Sequence, residues 1–249
     1  YDFNGLVQLV RVPIYSDADI TSTLTALPWN GSTGGVLAIE ATNSISLNAN
    51  IDLKGIGFRG GQITVGGFSC SDPNWANNNG GQKGEGVAEA PNGQNENRAP
   101  LANGGGGSNT GNPGAGGGGN AGIGGRGGNE WFGSCTLNSS FGVGGFDLDY
   151  SGYKAFLGGG GGGGYKDNGL NCTPGSNGGG IAIIIAPSIE GNGFTVDVSG
   201  ADVIGNSDSE GAGAGGAGGC AYLVAQNINS QLDINAQGGK GGDIFSTLW

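Results

Sequence analysis

The chain has 249 residues, 61 of them glycine, with a formal net charge of −11 and neither histidine nor methionine. Nine scattered Lys and Arg against 20 Asp and Glu exclude nucleic acid as an expected partner, because binding it needs clustered cations. The missing histidine excludes Ser-His-Asp, Cys-His and HExxH chemistry, and no apolar run approaches the ~20 residues of a membrane helix.

The chain opens at Tyr1 without an initiator Met and reads as a processed form or an excised piece of something longer. Leu6 to Val12 and Ile20 to Ala26 alternate apolar and polar residues and are expected as strands, separated by a turn-rich patch over Pro13 to Asp19. Three related units follow. Unit one, about 34–55, begins Gly34-Gly35-Val36 and continues through Ile45 to Ile51 and an exit at Gly55. Unit two, about 179–200, begins Gly179-Gly180-Ile181 and continues through Ile189 to Val196 and Gly200. Unit three, about 218–238, begins Gly218-Gly219-Cys220 and continues through Ile228 to Ile234 and Gly238. Each is a double glycine, an aliphatic strand, a polar corner, a second alternating strand and a glycine exit. Such a unit cannot bury its own apolar face, but stacked copies bury a continuous one. The Ile181 strand, nearly all Ile and Ala, reads as buried on both faces.

Between units one and two lies an insertion, about 60–176, holding the tracts Gly104 to Gly128 and Gly158 to Gly164; a third tract, Gly211 to Gly219, precedes unit three. Gly116, Gly119, Gly122, Gly125 and Gly128 fall on a three-residue period, repeated by Gly213, Gly216 and Gly219. Three per turn is the period of a polyproline-II-like helix, whose amides need lateral partners. The tracts are either a packed polyglycine bundle or a flexible linker, and the aliphatic runs flanking them favour the bundle. The predicted fold is therefore all-β: one domain over 1–249, a β-solenoid-like or layered body of stacked units with an inserted polyglycine-II-type helical bundle.

The aromatics of the insertion are either anchors closing the bundle or an exposed surface that grips sugars or partners. Trp75, Trp131, Tyr150 and Tyr153 are the candidate ligand-binding residues. Calcium is the one ion the sequence raises, through oxygen ligands at alternate positions: Asp17 with Asp19, Asp147 with Asp149, and Asn206 with Asp208 and Glu210. The competing reading is turn residues bonding their own backbone. Cys70, Cys135, Cys172 and Cys220 lack CxxC spacing and suggest two disulfides in an oxidising compartment; of the three connectivities, Cys70–Cys135 with Cys172–Cys220 is favoured, the competing reading being free buried thiols.

The runs Gln8 to Pro13, Trp29 to Val36, Gly57-Phe58-Arg59-Gly60-Gly61-Gln62 and Gly80-Gly81-Gln82-Lys83-Gly84-Glu85-Gly86, with the Ile234 to Gly242 exit, form a pattern. It resembles the glycine-rich domain of large surface proteins of Bacteroidota, including gliding-motility adhesins and related cargo of type IX secretion. The resemblance implies an exported, extracellular, non-enzymatic module of a larger polypeptide, used in adhesion or surface movement, with no catalytic residues. Its implied partners are other domains of the parent protein and the secretion machinery. The glycine tracts alone are also similar to those of phage tail-tip adhesins and of a receptor tyrosine kinase ectodomain. The alternatives are a carbohydrate-binding module for surface polysaccharide, a phage-type receptor-binding adhesin or a filament subunit joined through edge strands, and a β-solenoid enzyme acting on polysaccharide through converging carboxylates and a cation.

Overall fold

The computed structural model describes residues 7–67, 80–90, 93–131, 140–152, 154–168 and 171–245. Among them there is no α-helix, and the chain is all-β, built on a curled parallel sheet that forms a half-barrel. The strands are β1 (Ile14–Ile20), β2 (Val36–Leu47), β3 (Ile51–Asp52), β4 (Thr64–Val65), β5 (Tyr165–Lys166), β6 (Ile181–Ile185), β7 (Ser188–Glu190), β8 (Thr195–Asp197), β9 (Asn206–Asp208), β10 (Cys220–Val224), β11 (Asn227–Asn229), β12 (Asp233–Asn235) and β13 (Asp243–Phe245).

The repeat units lie side by side in parallel register. Val36 pairs Ile181 and Ile181 pairs Cys220; Ile45 pairs Ile189 and Ile189 pairs Ile228; Ile51 pairs Val196 and Val196 pairs Ile234. Long β2 spans what β6 and β7 together span in unit two, so both pair with it. The two strand layers close on one core. Ile39, Ile45, Leu47, Ile51, Ile184, Ile189, Val196 and Val198 are all buried in it, each side chain contributing about 1.5–3 kcal/mol on burial. The entry glycines have a steric reason. A Cβ on Gly179 would lie 1.8 Å from Val198 O and one on Gly218 1.9 Å from Ala236 O, because units two and three begin against the second strand of a unit, whereas Gly34 in unit one abuts Pro28 O.

Two local expectations are corrected. The N-terminal strand is β1, over Ile14–Ile20, and therefore inside the stretch expected to be a turn; it pairs in parallel with β2, and Leu24 bridges Ile51. This makes the N-terminal segment a further layer of the stack. Its Asp17 and Asp19, poor strand formers, are tolerated because β1 has β2 on one edge only, and tertiary pairing overrides propensity there. The Ile181 strand is fully buried on one face only: Ala182 and Ile184 point into the core, whereas on the other face Ile181 is buried and Ile183 and Ile185 are half-buried.

The glycine segments are held laterally. From Gly158 to Gly164 successive N–H groups donate in rotation to three neighbours at 2.7–3.1 Å: Gly158, Gly161 and Gly164 to 179, 176 and 173; Gly159 and Gly162 to 119 and 116; Gly160 and Gly163 to 85 and 82. The carbonyls of the same segment accept in rotation from 58–64, 105–108 and 214–217. Six segments thus surround one, with a three-residue period. The Gly116 to Gly128 period is not one continuous run. The chain reverses at Asn120 to Gly122, and Gly117 then donates to Gly125 O and Gly114 to Gly128 O, so 114–119 and 122–128 are antiparallel neighbours.

Candidate functional site: a cleft where the sequence motifs meet

Three of the motif runs, separated in sequence, converge. Trp29 N–H donates to Ile56 O, and Glu85 N–H donates to Arg59 O, both at 2.9 Å, so the 29–31, 57–62 and 80–86 segments become the walls of one cleft of about 850 Å³. Trp29 and Phe58 meet edge to face, with ring centroids 5.7 Å apart. Glu85 organises the wall: its Oε2 accepts from Trp29 Nε1 at 3.1 Å and from Arg59 N–H at 3.0 Å, and its Oε1 from Arg59 Nε at 2.9 Å and from Arg59 Nη2. Arg59 Nη1 reaches Asn30 O at 3.2 Å. The result is a half-buried aromatic pair beside a fixed ion pair, an arrangement suited to stacking against a sugar ring while bonding its hydroxyls. Nothing in the sequence of these runs marks them as a site, since only the fold places Trp29 against Phe58.

Lys83 forms the floor of this wall. It is buried, and its ammonium donates to Asn97 O at 3.0 Å and Ala99 O at 2.6 Å. Burial pushes its pKa down to about 8, only partly opposed by Glu96. The folded value lies below the unfolded one, so between about pH 8 and 10.5 the unfolded chain binds more protons and Lys83 makes folding more favourable as pH rises. Cys172 and Cys220, both raised by burial, act in the opposite sense above pH 9. Lys83→Met is expected to lose about 1–3 kcal/mol near neutrality, because Ala99 O loses its donor while Asn97 O keeps the Gly107 N–H. Its deficit relative to the parent should widen from about pH 8 to 10.5, measured by urea unfolding at each pH.

The residues singled out from sequence fall elsewhere. Trp75 and Tyr153 lie outside the described residues. Trp131 is 63 % exposed and donates its backbone N–H to Gly111 O at 2.8 Å. Tyr150 is not an exposed platform: its hydroxyl donates to Asn120 Oδ1 at 2.6 Å and its ring packs edge to face on Phe156, with centroids 5.2 Å apart. Burial, then Cys220, pushes its pKa up to about 12. Asn120 in turn donates to Gly218 O at 2.7 Å, so Tyr150 anchors a turn of the glycine array. Tyr150→Phe should cost about 1–3 kcal/mol in chemical denaturation, because it leaves the buried Asn120 oxygen without its donor. A loss below a few tenths would remove the anchoring role.

The acidic pairs are engaged locally. Asp149 accepts from Ser151 N–H at 2.8 Å and Ser151 Oγ at 2.6 Å, which lowers its pKa, while Asp147 is exposed. Asp208 accepts from Asn171 Nδ2 at 2.7 Å, and Glu210, fully buried, accepts from the N–H groups of Asp167 and Asn168 at 3.2 and 3.1 Å. Among the described residues no three acidic or thiol side chains gather as a metal site. The favoured Cys172–Cys220 bridge is corrected: both thiols are free. Cys172 Sγ donates to Gly211 O at 2.9 Å, and burial, then Glu210, pushes its pKa up to about 12, while Cys220 sits on β10. Neither is an activated nucleophile. Cys70 and Cys135 lie outside the described residues.

No family model, no curated protein and no solved structure matches this chain. Among the described residues no helix is long and apolar enough to cross a membrane.

Proposed function

We propose that the chain is an extracellular, non-catalytic structural and adhesive module of a larger bacterial surface protein, serving attachment or gliding-type movement. In this reading the glycine segments are polyglycine-II helices packed hexagonally, and the β units are the coils of a short solenoid. The observation that carries it is the surround of Gly158 to Gly164 by six hydrogen-bonded segments, which makes backbone alone into a stiff body. Stiffness without a large side-chain core suits a spacer that holds an adhesive surface under load. The surface location and the type IX export route rest on the motif resemblance, not on disulfides, since the two described cysteines are thiols. Microspheres coated with the chain should stay attached to polysaccharide-coated glass under a flow that removes albumin-coated ones. Equal detachment would overturn the adhesive role.

A second reading, a carbohydrate-binding module, is favoured by the Trp29–Phe58 pair beside Arg59 and Glu85. It differs in outcome. On a glycan array Trp29→Ala would abolish binding to defined oligosaccharides if the cleft is the adhesive element, and would leave bead attachment unchanged if adhesion resides elsewhere.

A further inference from the structure

The glycine array has a place left open. The segment 211–219 bonds five neighbours. The N–H groups of Gly211, Ala214 and Ala217 go to 165, 162 and 159, and those of Gly213, Gly216 and Gly219 go to 173, 201 and 198. The carbonyls of 212, 215 and 218 accept from 115, 118 and the Asn120 amide, those of 213 and 216 from 242 and 239, and those of 214 and 217 from 176 and 179. The remaining set, the N–H groups of Ala212, Gly215 and Gly218, has no partner among the described residues, although all three residues are buried. Across the same concavity the C=O groups of buried Ala115, half-buried Gly118 and exposed Ala121 are also without donors among the described residues. Both rows recur every three residues. They face a groove of about 540 Å³ walled by 114–128, 212–219 and 236–242, almost entirely glycine and alanine.

Buried backbone groups without partners are rare in native proteins and call for an explanation. A row of donors on one wall and a row of acceptors on the other, in the same three-residue rhythm, matches one chemistry: an extended polypeptide with three residues per turn, which offers acceptors and donors to different sides in that rhythm. The walls lack side chains, and across the array a Cβ typically meets backbone oxygen at about 2 Å, as between Gly215 and Gly239 O at 2.1 Å, so an occupant at the same spacing must itself be glycine-rich. The geometry points to a docking groove for a glycine-rich extended segment of another polypeptide, which enters as the missing helix of the array. From Ala212 to Gly218 it would run along roughly 19 Å of wall, six residues at the polyproline-II rise. This inference rests on the polyglycine-II reading of the proposed function.

The test is amide exchange by NMR on the whole chain, alone and with a decaglycine peptide carrying a lysine pair at each end. An oligoproline of the same length holds the extended conformation but donates no N–H, and serves as control. In the free protein, Gly159 and Gly162 should exchange slowly and Ala212, Gly215 and Gly218 faster. Added glycine peptide should slow the latter three roughly tenfold or more, and oligoproline should not. Gly125→Leu and Gly238→Leu lie on facing walls where a Cβ meets no atom closer than 3.6 Å. Each should keep the thermal midpoint and weaken peptide binding roughly tenfold or more. Unchanged exchange of the three amides with peptide, or full protection without it, overturns the groove. Free-chain exchange of Gly159 and Gly162 instead overturns the polyglycine-II reading beneath it.

Discussion

Gly161→Val should abolish the native array, whereas Gly125→Ala should leave it intact. Gly161 lies in the middle of the surrounded segment, and a Cβ there would sit 2.0 Å from Ala214 O and 2.5 Å from Ala214 C. The obstacle is backbone, so no rotamer relieves it. Moving Ala214 away would break its N–H bond to Gly162 O and the bond its own carbonyl accepts from Ser176, both 2.9 Å. Overpacking alone costs about 1–3 kcal/mol, and each lost buried hydrogen bond adds about 1–3 kcal/mol where a group is left unpaired. The total is about 3–9 kcal/mol, against roughly 5–15 kcal/mol for a whole domain. Gly125 lies in the neighbouring tract, Gly104 to Gly128, but a Cβ on it meets nothing within 4 Å. Alanine there should be neutral or stabilising by about 0.4–1 kcal/mol, through the unfolded chain. Urea unfolding of the two variants decides it: a Gly161→Val loss below about 1 kcal/mol would contradict the close backbone packing.

The contrast between Gly161 and Gly125 marks what sequence can and cannot convey about this chain. A three-residue recurrence of glycine is visible in the letters, but which glycines are enclosed depends on where the segment sits in the array. Gly122, Gly125 and Gly128 keep the period of Gly116 and Gly119 and yet lie open, because the chain reverses between them and 122–128 runs along the outside. The units, by contrast, were legible as units. Val36, Ile181 and Cys220 each follow a double glycine, and that shared landmark sets the first pairs, but β2 carries one residue more before Ile45 than unit two carries before Ile189, so the pairs downstream slip by one and are set by the apolar positions instead. The N-terminal layer carries no double glycine and breaks its apolar pattern with Asp17 and Asp19, so local signals read as a turn while β2 recruits it as a strand. The cleft was legible only as unexplained motifs. Nothing local in Trp29, Phe58, Arg59 or Glu85 says that they touch, because their meeting is set by backbone bonds such as Glu85 N–H to Arg59 O.

Ile189→Ala should lose about 2–5 kcal/mol, and Ile228→Ala less than about 1 kcal/mol, although the two side chains pair in the same ladder. Sequence alone gives them equal weight: each is the single isoleucine at the corner of its unit. In the stack, Ile189 is fully buried between Ile45 on one side and Ile228 on the other, so truncating it opens a cavity with walls on both sides. Ile228 has Ile189 on one side and solvent on the other, and is 52 % exposed, so most of what alanine removes was already in water. Ile234 repeats the difference, at 51 % exposed against none for its partner Val196. The gap between the paired isoleucines therefore measures the stacking itself, since residue type, ladder position and strand direction are held constant. Chemical denaturation of the two alanine variants gives that gap directly. Similar losses in both would mean that unit three is covered in solution, as it would be if a further layer, from the same parent chain or from a second copy, continued the ladder from Ile228.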